Sequence, residues 1–236
     1  MIFQRSHHQR IAKLLEALDS QMLSDNHCLF AGGTAIALKY GEYRESVDID
    51  FLVSDLNGYR ELRNCVRKDG FQSLVKHGRP HFQTSDIRSD QYGIRTRVVV
   101  DEHPIKFEIV QEGRITLDVP GTQDELLGVA TLTRRDMAAS KLLANSDRGL
   151  DLGVYCRDII DLAMLNLKKS EWIEAVHKAK MAYGESVIGD LLKVAEKLSS
   201  THGLIKTCIE EMEISIQPTI LKQQINHLTQ LAMAEY

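Results

Sequence analysis

Apolar residues recur at helical spacing from the start of the chain. Ile11, Leu14, Leu15, Leu18 and Met22 share one stripe and predict an amphipathic helix over residues 6–23. A short apolar run, Cys28–Ala31, then predicts a strand, and Ala35–Tyr40 a helical segment closed by Gly41. Val47–Val53 predicts a second strand, followed by a helix over Leu56–Lys68. Residues 93–101 alternate Ile94, Thr96, Val98 and Val100 against Arg95, Arg97 and Val99. A turn at Glu102-His103-Pro104 returns the chain into a partner strand, Ile105–Val110. Pro120-Gly121 and Gly128 break the pattern, and everything beyond reads as helix. Thr133 caps a helix over 134–145 with Met137, Leu142 and Leu143 inward; further helices follow over 154–168, 171–182, 185–199, 204–212 and 219–234. The pattern divides the chain near residue 130, with an α/β part over 1–130 and an all-α helical bundle over 131–236.

Composition adds limits. A chain of 236 residues with 43% hydrophobic and 26% charged positions can bury a sizeable core as one large domain or two small ones. The net charge of −4 excludes a globally basic nucleic-acid binder, so any such surface must be local. One local excess exists: residues 57–100 hold nine Lys/Arg against four acids, with Arg60, Arg63 and Arg67 spaced along one side of a helix. That run is either a solvated face or a surface that follows phosphates. Cys28, Cys65, Cys156 and Cys208 are far apart and form no CxxC pair, which argues against a zinc site and suits a reducing, cytoplasmic setting. No stretch is apolar for long enough to span a bilayer. The adjacent His7 and His8 read as solvated, because neighbouring residues leave a helix in different directions; His77 and His81 read as loop residues.

The chemistry concentrates in residues 28–55. Asp48 and Asp50 flank Ile49 on one strand, so both carboxylates point to one face. Two such acids need a cation, and Mg²⁺ takes one or two carboxylates together with substrate phosphates. Gly32 and Gly33 stand immediately before a helix, where a backbone without Cβ atoms can approach a ligand and free N–H groups favour an anion.

Gly32-Gly33-Thr34, thirteen intervening residues, and Asp48-Ile49-Asp50 together resemble the signature of the nucleotidyltransferase superfamily. The wording GGTAIAL…RESVDIDF is closer still to one branch, the AbiEii-type nucleotidyltransferase toxins of bacterial abortive-infection and type IV toxin–antitoxin systems. A second stretch, KLLANSDRGLDLGVYCRDIIDL, resembles the same branch through Lys141, Arg157, Asp158 and Asp161. On their own these residues also read as a common i,i+4 ion pair between Arg157 and Asp161, with Asp158 and Asp161 sharing a face that calls for a cation such as Lys141.

The resemblance implies an α/β (α+β) nucleotidyltransferase core with a mixed sheet, followed by the all-α bundle. It implies transfer of an NMP from an NTP to an acceptor hydroxyl, with Mg²⁺ on Asp48 and Asp50, tRNA as acceptor and a cognate antitoxin as partner. Gly32, Gly33, Thr34 and Ser46 would cradle phosphates, and Arg44 and Asp161 belong to the same nucleotide-binding set. Lys141 would contact the triphosphate, and Asp158, or else Glu108 as a third carboxylate on a neighbouring strand, would orient or deprotonate the acceptor. Glu108 reads equally as a surface acid paired with Lys106 or a nearby arginine. The chain departs from the family at Gly41-Glu42-Tyr43-Arg44, where relatives commonly carry Gly-His-Arg. A small-molecule nucleotidyltransferase of the antibiotic-modifying kind, and a catalytically silent nucleotide- or partner-binding member, stay open as alternatives.

Overall fold

The amphipathic stripe at the amino terminus is cut in two. The computed structural model, which describes residues 3–235, places helix α1 over Ser6–Ala17 and a separate helix α2 over Ser20–Asp25. Leu18 leaves the helix to bridge Val75, and Asp19 caps α2 by accepting from the Met22 N–H at 3.1 Å. Strand β1 (Leu29–Ala31) runs into α3 (Gly32–Lys39), whose residues Thr34–Leu38 are all buried, so α3 is apolar on every side. Strand β2 (Ile49–Val53) is shorter than expected, because Val47 is exposed and lies outside it. Helix α4 (Leu56–Asp69) starts on an Asp55 cap, 2.6 Å from the Gly58 N–H. Strands β3 (Arg88–Ser89), β4 (Gly93–Val100) and β5 (His103–Gln111) follow, then a small hairpin of β6 (Glu125–Leu126) and β7 (Val129–Ala130) that the apolar pattern did not announce.

The five longer-range strands form one mixed sheet in the order β1-β2-β5-β4-β3. Only the β2–β5 pair is parallel. Ile49, Phe51, Val53, Ile105, Phe107 and Ile109 turn to the buried face, where Phe30, Phe51, Phe107 and Phe71 touch in series at centroid distances of 5.5, 5.7 and 5.0 Å. The register puts Asp50 beside Glu108 and Glu108 beside Arg95, so a polar row crosses three strands on the opposite face.

The remaining helices are α5 (Arg134–Arg148), α6 (Arg157–Met164), α7 (Lys169–Tyr183), α8 (Ser186–Ser200), α9 (Leu204–Glu211) and α10 (Pro218–Met233). Helix α5 packs on α6, α7 and α8, and α10 packs on α6 and α8, around the fully buried Trp172. Ion pairs Arg134–Glu171 (3.2 Å), Arg135–Glu174 and Lys178–Asp136 tie α5 to α7. The helix expected over 154–168 starts late, because Tyr155 and Cys156 adopt left-handed backbone angles and α6 begins only at Arg157.

The chain forms two compact units. The first is the chain up to Lys39 with Ser46–Thr133; the second is Tyr40–Glu45 with the chain from Arg134 on. The six residues Tyr40–Glu45, which precede the second strand in sequence, thus belong with the helices. Among the described residues, no helix is long and apolar enough to cross a membrane.

Candidate active site

In the first unit the candidate residues converge where β1 hands over to α3. Gly32 adopts φ +73°, and a Cβ built on it would lie 2.5 Å from Asp50 Oδ2 and 3.1 Å from its Cγ. Glycine is therefore required twice, for the left-handed turn and for the carboxylate pressed against its Cα. Asp50 faces Ala31 across β1 and Glu108 across β5. Gly33 and Thr34 occupy the first turn of α3, and Thr34 Oγ1 lies 2.8 Å from Ser46 Oγ. Asp48 is partly exposed, one residue ahead of β2.

Glu108 meets both readings made of it. It stands level with Asp50, and it also accepts from Lys106 at 2.7 Å and lies 3.2 Å from Arg95. Partial burial works against the Lys106 ammonium, but the Glu108 hydrogen bond and the charges of Glu108, Asp48 and Asp50 outweigh it and raise its pKa. Three carboxylates thus act on one lysine, which measures how negative this patch is.

The donor set fits a hard divalent cation. Carboxylate oxygens are the ligands Mg²⁺ prefers, and Asp50 is held in place by Gly32. Among the described residues, no three His, Cys, Asp or Glu side chains are gathered as a closed metal cage. Two aspartates with open positions left for substrate phosphates is the arrangement expected of a Mg²⁺–nucleotide site rather than a structural metal site.

In the second unit the candidates form a buried ionic network. Lys141 on α5 contacts Asp158 Oδ1 at 2.8 Å and Asp161 Oδ2 at 2.7 Å, both on α6. Arg148, two turns beyond Lys141, donates twice to Asp158, from Nε to Oδ2 at 2.8 Å and from Nη2 to Oδ1 at 3.0 Å. Asp161 takes a two-pronged contact from Arg44 (Nε–Oδ1 2.7 Å, Nη2–Oδ2 2.9 Å) and a bond from the Tyr43 hydroxyl at 2.6 Å. Burial alone would raise the Asp158 carboxyl, but Lys141 and Arg148 hold it well below the usual carboxylate range. Asp161, also buried, is lowered in the same way by Arg44 and Lys141. Burial, then the Asp161 charge, push the Tyr43 hydroxyl well above its ordinary value. Within this network Lys141 is buried, whereas Arg148 is 40% exposed.

These contacts change several expectations. Arg44 and Asp161, placed with the phosphate-binding residues, pair with each other: the guanidinium is 6% exposed, and its Nη1 donates to the Glu45 carbonyl at 2.7 Å. Asp161 pairs with Arg44 and Lys141 rather than with Arg157 one turn earlier. Asp158, expected to orient or deprotonate the acceptor, has both carboxylate oxygens engaged by Lys141 and Arg148, contacts that suit it to holding Lys141. In the arginine row, Arg63 donates to the Asp90 carbonyl at 3.3 Å and Arg67 to Ser89, leaving Arg60 exposed.

Three features escaped the sequence reading. His8 is not solvated but fully buried, accepting the Ser46 N–H at 3.2 Å; His7 is half-exposed, yet its Nε2 lies 2.9 Å from the Val47 carbonyl. The signal was there, since His8, Ile11 and Leu15 sit at i, i+3 and i+7 on the apolar stripe. Arg148 was legible as the residue two turns along α5 from Lys141. Tyr43, at the family departure, carried no pattern that would place it on Asp161.

The architecture is that of a nucleotidyltransferase. It is similar to the crystal structure of JHP933 from Helicobacter pylori at 16% identity and TM-score 0.57, covering 99% of this chain and 94% of that one. It is also similar to MenT4, a nucleotidyltransferase toxin of Mycobacterium tuberculosis H37Rv, at 17% identity and TM-score 0.51, covering 97% of this chain and 86% of that one. No curated protein matches the chain by sequence. Residues 13–220 match the family described as nucleotidyl transferase AbiEii toxin, type IV toxin–antitoxin system, and the chain belongs to that family of enzymes.

Proposed function

We propose that the protein moves an NMP from an NTP to a hydroxyl of an RNA, with tRNA as the favoured acceptor, as the cytoplasmic toxin of a toxin–antitoxin pair. The observation that carries the metal-dependent part is the placement of Asp50, wedged against a Cβ-less Gly32, level with Glu108 and two residues from Asp48. Asp48 and Asp50 would hold Mg²⁺, which when bound neutralises triphosphate charge and favours departure of pyrophosphate. The first turn of α3 offers backbone N–H groups at Gly32 and Gly33, and the Thr34 and Ser46 hydroxyls stand beside them as further donors. Glu108, partly exposed like Asp48 and Asp50 but not assigned to the cation, takes the role of receiving the acceptor's proton. Lys141 and Arg148 offer cationic groups of the kind that meet polyphosphate oxygens, and Asp158 and Asp161 fix the position of Lys141. The exposed Arg60, Arg79, Arg88 and Arg97 support a polyanionic acceptor.

The test is transfer of label from α-³²P NTPs with Mg²⁺, using total tRNA and, in parallel, a panel of hydroxyl-bearing antibiotics. Label is expected on RNA, and to vanish with Asp48→Ala. Label on a small molecule alone would replace the RNA reading by the antibiotic-modifying one. Full transfer by Asp48→Ala would remove the metal assignment, and growth inhibition that persists in Asp48→Ala would remove catalysis as the basis of toxicity.

A further inference from the structure

We propose that His7 and His8 are positioning residues for Asp48, so that the amino-terminal helix sets the geometry of the metal-binding carboxylate. The proposal rests on the assignment of Asp48 and Asp50 to the cation. Residues 45–48 lie in neither helix nor strand, so no ladder of backbone bonds fixes the approach to β2. Glu45 is tied by its N–H to the Met212 carbonyl and by its carbonyl to Arg44, and three side-chain bonds restrain Ser46 and Val47. His8 Nε2 accepts the Ser46 N–H, His7 Nε2 donates to the Val47 carbonyl, and the Ser46 hydroxyl meets Thr34. Two consecutive side chains of α1 therefore hold the two consecutive residues that precede Asp48, across about forty residues of chain.

The chemistry of each ring is specified by its partner. To accept from an N–H, His8 Nε2 must be unprotonated; to donate to a carbonyl, His7 Nε2 must carry its proton. A buried backbone N–H without a partner is costly, so removing the His8 acceptor leaves Ser46 to find another and frees the segment to rotate. Asp48 is partly exposed and stands outside the strand, so its carboxylate inherits any such rotation directly. Neither histidine needs to touch substrate. Groups that orient a ligand of a cation, without binding the cation, commonly change its affinity about 10–100-fold when removed.

The test compares His7→Ala, His8→Gln and His8→Leu in the full chain, with Asp48→Ala alongside. Glutamine can place an acceptor near the former Nε2; leucine fills the space and cannot. Three quantities are read: Mn²⁺ affinity by electron paramagnetic resonance with a non-hydrolysable NTP analogue, the transfer rate, and the unfolding midpoint. His8→Leu is expected to weaken Mn²⁺ binding about tenfold or more, and His8→Gln to restore it to within about threefold. His7→Ala, at a half-exposed position, is expected to keep the wild-type midpoint while Mn²⁺ binding weakens about threefold to tenfold. Wild-type Mn²⁺ affinity in His7→Ala overturns the proposal, even where His8→Leu fails to fold. Equal losses in His8→Gln and His8→Leu also overturn it, since volume rather than an acceptor would then matter. If Asp48→Ala itself binds Mn²⁺ and transfers normally, the underlying metal assignment fails instead.

Discussion

Alanine at Gly32 adds one methyl group where two independent constraints meet. The left-handed angle of +73° costs a non-glycine residue about 1 kcal/mol. The new Cβ would also stand 2.5 Å from Asp50 Oδ2, and relieving that contact needs a shift of about 1 Å in the carboxylate or in the strand beneath it, at about 1–3 kcal/mol. Together these amount to about 2–4 kcal/mol, below the ordinary stability of a domain, so Gly32→Ala is expected to fold with its midpoint lowered by about 5–15 °C. Catalysis should suffer more, because misplacing a catalytic group by about 1 Å costs about 100-fold in rate. Differential scanning calorimetry and a transfer assay well below the midpoint separate the two effects. In an Asp50→Ala background the oxygen and carboxyl carbon are gone and only the residue-50 Cβ, at 3.0 Å, still crowds the new methyl, so Gly32→Ala should cost clearly less, about 1–2 kcal/mol. A wild-type rate in Gly32→Ala, or an equal cost in both backgrounds, would refute the reasoning that Gly32 is glycine to make room for Asp50.

Arg44→Met leaves a buried Asp161 with two of its cationic contacts missing and should destabilise the protein by about 3–5 kcal/mol. Arg44→Lys should recover only part of this in thermal unfolding, since an ammonium cannot reproduce the two-pronged contact; full recovery would contradict the geometry. Asp158 and Asp161 have folded-state pKa values below their unfolded values near about 4, so their stabilisation is present above that pH and is lost as pH falls below about 5. The stability gap between wild type and Asp158→Asn in urea titrations should therefore be largest near neutrality and narrow steadily as pH falls below about 5; a constant gap would show that the charge is not what matters. Lys106→Met removes a cation that answers Glu108, Asp48 and Asp50, and should lower the Mg²⁺ needed for half-maximal transfer about twofold to fivefold at low salt. A higher requirement would mean that Lys106 assists the metal rather than competing with it.

How far the fold could be read depended on how local its causes are. The β4–β5 hairpin was legible because alternation along Ile94–Val100 reports one buried face. Its turn was misplaced by two residues: Asp101 and Glu102 make it, both left-handed, without the usual glycine or asparagine. Pro104 is tolerated within β5 because β2 pairs only from Phe107 onwards. The break between α1 and α2 depends on Leu18 meeting Val75, a partner that periodicity cannot supply. In the site, the Gly-Gly turn and Asp-x-Asp strand were visible because both halves of the constellation lie close in sequence. The network around Asp161 was only half visible. Lys141 announced itself as the cation for two aspartates, but the pairing of Arg44 with a residue 117 positions later is set by the folded chain alone.

That separation has a consequence for synthesis. Tyr40–Glu45 leaves the ribosome inside the stretch that builds the sheet, yet its partners are made much later: Asp161 on α6, and Met212 and Ser215, which bond the Glu45 N–H at 3.0 Å and the Tyr43 carbonyl at 2.9 Å. At about 5–20 residues per second, Arg44 waits about 6–23 s for Asp161, and Glu45 waits longer for Met212. The sheet-bearing unit can begin to form in that interval, but its chain must carry a solvated arginine and an uncovered tyrosine until Asp161 has been made. Folding of this toxin is thus not strictly vectorial, and a chaperone or a pause would act on a segment only six residues long.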